Sequence, residues 1–181
     1  SNGSAHKVTG LTDGTYTLTE ISAPDGYKQA ESITFTIKDG ELVTEGNDAI
    51  VNGVVTMKDE QYKTDVSISK QDLGQGKELA GATLSLTKAG QETAPEDWTW
   101  ESDGSVHVVN GLTDGTYTLT ETSAPDGYKK AESITFEMKE GKLVDGSHAQ
   151  NGVVTMEDEQ YKTDIKVSKV AAGGGEELPG A

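Results

Sequence analysis

Residues 111–128 read GLTDGTYTLTETSAPDGY, and this stretch decides the fold class. Tyr117, Leu119 and Glu121 alternate with Thr116, Thr118 and Thr120, the period of two expected of a strand with one buried face. Pro125, Asp126 and Gly127 then mark a tight turn, because proline fixes φ and glycine accepts a positive one. Strand, turn and strand within so few residues leave no room for a helix.

The stretch is not unique. GLTDGTYTLTE occurs at 10–20 and again at 111–121, and SAPDGYK, AESITF, NGVVTM and DEQYKTD recur in the same order. The offset is 101 residues through AESITF and 99 after it, so a two-residue deletion falls in the loop around 145–150. A period of about 100 residues has the size of one β-sandwich domain, not of a solenoid repeat. One complete copy runs over 64–163. Residues 1–63 match only its later part, with Ser1 aligned to Ser102, and 164–181 match only its opening strand region. The chain therefore reads as one complete repeat between two incomplete ones.

Period-two alternation continues through the complete repeat. Val66, Ile68 and Lys70 share one parity; Ala82, Leu84 and Leu86 form another row; Ile134, Phe136 and Met138, then Val154, Met156 and Asp158, form two more. TDGT, APDG, KEGK and DGS separate these runs. No segment has helical period and useful length. The expectation is an all-β sandwich of seven or so strands.

Composition bounds the function. The 181 residues carry a formal net charge of −16 and no cysteine. Nucleic acid and anionic membranes need a basic face, so neither is an expected partner. No apolar run reaches transmembrane length, and no signal peptide opens the chain, which begins SNG in the manner of an excised fragment. Without cysteine, thiol catalysis and a disulfide framework are both excluded, so a small domain outside the cell needs another staple.

Three inward rows end in a charge: Lys70, Glu121 and Asp158. An inward charge is costly unless paired, so three on separate strands suggest one buried cluster. One reading is a buried salt-bridge triad. The other is chemical. Desolvation disfavours every charged form, driving a buried amine towards its neutral, nucleophilic state and a buried carboxyl towards its protonated, electrophilic state. Lys70 would attack Asp158, with Glu121 shuttling protons as acid and base, and fixed proximity would replace the missing activation. The product is an amide and one water. The pair reacts once, so this is autocatalysis and not enzyme turnover.

VSISKQD with ELAGATLSL downstream, GLTDGTYTLTETSAPDGY and the closing VVTMEDEQY together resemble the Cna-B-type (SpaA-like) domains of Gram-positive pilins and cell-wall surface adhesins. The resemblance covers the complete repeat and both partial ones, and YTLTETSAPDGY looks like the family's E-box. It implies a Cna-B β-sandwich, prealbumin-like or Ig-like, in tandem repeats, with an intramolecular isopeptide bond. By motif position Lys70 would be the amine donor, Glu121 the catalytic acid and Asp158 the acceptor. Many members of the family have asparagine as acceptor; aspartate releases water instead of ammonia. The implied location is extracellular, on the wall of a Gram-positive cell. No LPxTG sorting signal or YPKN-like pilin motif is present, and ELPGA at 177–181 is not one.

The same positions name Glu20 and Asp59 in the first partial repeat and Lys169 in the last. Neither piece holds a full set. Adjacent repeats of the same protein are the expected neighbours, and two chains head to tail could bring Lys169 to Asp59 by strand addition, although a counterpart of 83–101 is absent from both pieces. The leading function is a mechanical stalk or pilin-like module; the alternative is an adhesin module binding a host glycan or protein. Trp98 and Trp100 share a parity that suits a sugar platform or, more simply, the end of a core. His6, His107 and His148 lack ligand spacing and read as surface residues. The acidic loops lack a calcium-loop pattern, GGG at 173–175 lacks the context of a phosphate loop, and no nucleophile elbow is found. No cofactor or metal is expected.

Overall fold

The computed structural model describes residues 3–178; Ser1 and the end of the ELPGA motif lie outside them. Sixteen strands follow in chain order: β1 Gly14–Leu18, β2 Tyr27–Lys28, β3 Ile33–Lys38, β4 Glu41–Leu42, β5 Ile50–Val51, β6 Val54–Val55, β7 Glu60–Gln61, β8 Thr64–Asp72, β9 Ala80–Lys88, β10 Thr99–Asp103, β11 His107–Leu112, β12 Gly115–Ser123, β13 Ile134–Lys139, β14 Lys142–Leu143, β15 Ala149–Gln150 and β16 Val153–Asp158. The helical exception among the described residues is a 3₁₀ turn at Glu96–Trp98.

Residues 64–158 form a β-sandwich. One sheet has the order β10-β9-β12-β13-β14 and the other β11-β8-β16-β15. Nine strands therefore stand where the sequence predicts seven or so. The extra ones are β14 and β15, each of two residues and too short to show a period. The deciding stretch becomes β12, which is central: it pairs antiparallel with β9 on one side and β13 on the other. A strand with two neighbours has both backbone edges satisfied, and its inward row is sealed. Tyr117 and Leu119 are fully buried, with Tyr117 stacked on Phe136 at 5.4 Å between ring centroids. The core is closed by Val66 and Ile68 of β8, Leu84 and Leu86 of β9, Met138 of β13 and Val154 and Met156 of β16. Each such side chain contributes roughly 2 kcal/mol by leaving water.

Turn chemistry sets the connections. Asp114 accepts hydrogen bonds from the backbone N–H groups of Glu140 and Gly141, clamping the β13–β14 hairpin at the foot of β12. In the other sheet β8 and β16 run parallel, with Val154 opposite Ile68 and Met156 opposite Lys70. The first and last long strands of the repeat are thus neighbours.

Residues 14–61 repeat part of this plan. β1 pairs with β3 and β3 with β4, but β1 has no strand on its other edge among the described residues. Residues 164–178 carry no regular strand; a single bridge joins Val170 to Glu177.

Candidate cross-linking site

Lys70, Glu121 and Asp158 meet between the two sheets. Lys70 and Asp158 come from neighbouring parallel strands and face the same side, because Asp158 lies two residues beyond Met156, the register partner of Lys70. Glu121 approaches from the facing sheet, where β12 sets it opposite Leu84. Lys70 Nζ donates a hydrogen bond to Asp158 Oδ1 and lies 3.2 Å from Glu121 Oε1. Lys70 is 2 % exposed, Asp158 1 % and Glu121 0 %, so water does not screen the cluster.

One amine faces two carboxyls in a dry space. Fully ionised, the trio would carry net negative charge without solvent, and such a cluster is relieved by protonating a carboxyl. Burial raises the Glu121 pKa above the ordinary carboxylate range, against the opposing pull of the Ala131 N–H and the Lys70 charge, while the Asp158 charge pushes it further up. Glu121 Oε2 accepts the Ala131 N–H at 2.6 Å, which fixes the side chain and leaves Oε1 aimed at the amine. Glu121 Oε1 is buried with the Lys70 ion pair alone, and Asp158 Oδ2 is buried without a hydrogen-bond partner. An unpaired buried carboxyl oxygen is costly.

Asp72 is a competing acceptor, since it lies in register with Asp158 and is also buried. Burial opposes its ionisation, but hydrogen bonds from Tyr128 and from the Gln75 and Gly74 N–H groups outweigh it and hold its pKa below the usual range. That favours its carboxylate form, a poor electrophile, and the Lys70 amine pairs with Glu121 and Asp158 and not with Asp72. Glu157 and Glu159, the sequence neighbours of Asp158, are exposed.

Sequence reasoning missed Glu78. Its carboxylate accepts the Lys70 backbone N–H at 3.1 Å, the Ser69 hydroxyl and the Gln71 side-chain amide at 3.2 Å. Leu79 N–H closes the same hairpin on the Lys70 carbonyl at 2.7 Å. Glu78 therefore holds the backbone of the lysine from outside the pocket. The signal was present, since glutamate stands eight residues after both Lys70 and Lys169.

Of the remaining sequence-derived residues, Glu20 and Asp59 come together and Lys169 does not join them. Glu20 Oε2 accepts the Ala30 N–H at 2.8 Å, as Glu121 accepts that of Ala131. Asp59 has a raised pKa, through desolvation first, then the Glu20 charge and a hydrogen bond with Glu20. Both are half-buried, and among the described residues no lysine pairs with either. Lys169 is exposed in the unpaired tail, where Ile165 and Val167 are 77 % and 84 % exposed.

The aromatic pair has a structural role. Trp98 tilts on Tyr117 at 5.8 Å, Trp100 stacks on His107 at 4.3 Å, and both indoles pack against the core. His107 is therefore half-buried and not a free surface residue, and burial lowers its pKa despite nearby Asp103. His6 and His148 are exposed. Among the described residues no group of histidine and acidic side chains is arranged to hold a metal, and no helix is long and apolar enough to cross a membrane.

Compared with known proteins, the chain finds no match among curated sequences. Among solved structures it is similar to the Bacillus anthracis TIE protein, with a TM-score of 0.61 and 24% identity over 83% of this chain and 26% of that one. It is also similar to the C-terminal fragment of the pilus adhesin SpaC from Lactobacillus rhamnosus GG, with a TM-score of 0.51 and 21% identity over 88% of this chain and 81% of that one. A further match is the pilus-presented adhesin Spy0125 (Cpa), 43% identical over 44% of this chain and 18% of that one, with a TM-score of 0.38. The chain thus spans about a quarter or less of the TIE and Spy0125 chains. The profile described as "SpaA: Prealbumin-like fold domain" matches residues 1–49 and 64–152. With most of its length under that profile and a two-sheet sandwich beneath it, the chain belongs to the SpaA family of prealbumin-like fold domains.

Proposed function

We propose that this chain is a structural module of an extracellular Gram-positive stalk or pilus, stiffened by an autocatalytic amide between Lys70 and Asp158. The observation that carries the reading is the water-excluded contact of Lys70 Nζ with Asp158, with Glu121 Oε1 3.2 Å from the same nitrogen. The ammonium of Lys70 gives up one proton to the Asp158 carboxylate, and the neutral amine attacks Cγ of the resulting acid. Glu121, in the protonated form that burial favours, donates to the departing oxygen and recovers a proton from the nitrogen. One C–N bond forms, one C–O bond breaks and one water leaves. The reaction runs once per chain and turns over no substrate.

The position of the bond supports the mechanical role. Lys70 and Asp158 are 88 residues apart in sequence yet lie on adjacent parallel strands. Tension entering at β8 and leaving after β16 would pass through the amide and spare the intervening sandwich. If the tether acts as a disulfide does, closing a loop of that length stabilises by about 4.5 kcal/mol.

Intact mass spectrometry tests this directly. The wild-type chain should be lighter than its residue sum by one water, and Lys70→Ala and Glu121→Ala should each match their full sums. A wild-type mass with no water lost rejects the cross-link.

A further inference from the structure

Each copy of DEQYKTD carries the same tyrosine, Tyr62 and Tyr161, yet the two stand in different surroundings. Each is held by its own preceding turn: Tyr62 N–H donates to the Gly26 carbonyl at 3.0 Å, and Tyr161 N–H to the Gly127 carbonyl at 2.9 Å. The Tyr62 ring then crosses to the next repeat and lies on the β13–β14 turn. A Cβ placed on Gly141 would fall 2.8 Å from Tyr62 Cδ1 and 3.2 Å from its Cβ and Cγ. Thr64 Oγ1, two residues on, donates to the Gly141 carbonyl at 2.6 Å. The APDG turn of the first repeat also reaches across, since a Cβ placed on Gly26 would stand 3.6 Å from Asp114 Cβ. Asp114 is the residue that clamps Gly141.

The mating surfaces that have no neighbour in this structure are open. Tyr161 is 66 % exposed. Gly40, the counterpart of Gly141, has the same positive φ and the same clamp, from Asp13, but nothing lies within 4 Å of where its Cβ would be. Only a residue without Cβ lets an aromatic ring rest on the turn backbone while φ is positive. Gly40 keeps that requirement although no ring covers it.

We propose that the tyrosine ending each repeat is the coupling residue between repeats, and that the exposed Tyr161 is the docking surface for the glycine turn of another copy of this repeat. The occupied Tyr62–Gly141 contact is the template for the open pair, Tyr161 at one end and Gly40 at the other. Relative motion is the default across a small interface between domains; backbone attachment to one repeat and ring contact with the next oppose it, so a stack of such repeats behaves as a rod and not as beads on a flexible thread. This inference does not depend on the amide.

Residual dipolar couplings on the complete chain test it. In the wild type, couplings from 14–61 and from 64–158 should fit one alignment tensor. Tyr62→Ala, which leaves the turn intact, and Gly141→Ala, which pushes the ring off, should each lose the common tensor. Gly40→Ala imposes the same backbone strain where no ring sits and should keep it, as should Tyr161→Ala. Separate tensors in the wild type, a common tensor in Tyr62→Ala, or no measurable alignment of 14–61 would overturn the proposal. Water loss measured on the same samples reports the amide separately, so failure of one reading is distinguishable from failure of the other.

Discussion

The strand GLTDGTYTL is present twice and meets two fates. In β12 it lies between β9 and β13, with Tyr117, Leu119 and Glu121 at 0 % exposure. In β1 it pairs, among the described residues, with β3 alone; Leu18 is 41 % exposed, and Tyr16 and Glu20 are half-buried. Local chemistry is nevertheless the same in both. The tyrosine stacks on a phenylalanine, at 5.5 Å for Tyr16 on Phe35 and 5.4 Å for Tyr117 on Phe136. The glutamate accepts the N–H of an alanine ten residues on. What differs is the strand pair β8 and β9, which brings the amine and shuts out water. Positioning the acid is therefore a local property of this sequence, and burying it beside an amine is a property of the closed sandwich.

The comparison breaks most visibly at Lys70. Lys70→Ala removes the tether and leaves two carboxyls in a dry pocket, so the melting temperature of the central sandwich should fall by about 20 °C or more, read by calorimetry. A shift of only a degree or two would mean that the cluster is no better closed than the half-site around Glu20.

A smaller effect is expected at the acid. Glu121→Gln keeps the shape but cannot cycle a proton, and cross-linking should slow by about 10²–10⁴-fold, followed as water loss in chemically synthesised chain folded at time zero. The wild-type rate should decline as pH rises through the raised Glu121 pKa, since the donor form is then lost. The stability sign agrees: a carboxyl whose folded pKa is raised favours the fold below its unfolded value, and that contribution disappears as pH climbs to the folded value. A rate that increases across that window would assign Glu121 to the basic role alone.

The smallest signal sharpens the comparison from the other side. A peptide of residues 64–88, added to the chain, offers Glu20 and Asp59 the two strands they lack. It should yield a minor adduct, heavier by the peptide less one water, that maps to Asp59 and is absent from Asp59→Ala. No adduct at all would show that burial by β8 and β9 is not sufficient to convert the half-site.

Much of this is legible in the chain. Parity places Lys70, Glu121 and Asp158 inward, because a strand turns alternate side chains to one face whatever surrounds it. Parity does not say that β8 and β16 are parallel neighbours, nor that Glu121 arrives from the facing sheet, since strand order is set by contacts far apart in sequence. Asp72 shows the limit well. It shares parity with Lys70, yet the Lys70 amine pairs with Glu121 and Asp158, while Asp72 is held by hydrogen bonds from Tyr128, Gln75 and Gly74. His107 reads as a surface residue in the sequence for the same reason; its stacking on Trp100 joins two sheets that no local pattern connects.

By itself, then, the sequence determined strand periodicity, the turns that punctuate it, the repeat and its phase, and which residue types face inward, all of which follow from backbone geometry over a few residues. Only the tertiary structure decided that β12 becomes a sealed central strand while β1 remains an open edge. It alone decided that Glu121 meets the Lys70–Asp158 pair from the facing sheet, and that Tyr62 couples two repeats while Tyr161 stands exposed. The physical reason is that desolvation, pairing across sheets and contact between repeats depend on neighbours distant in the chain, and identical residues acquire different chemistry when those neighbours differ.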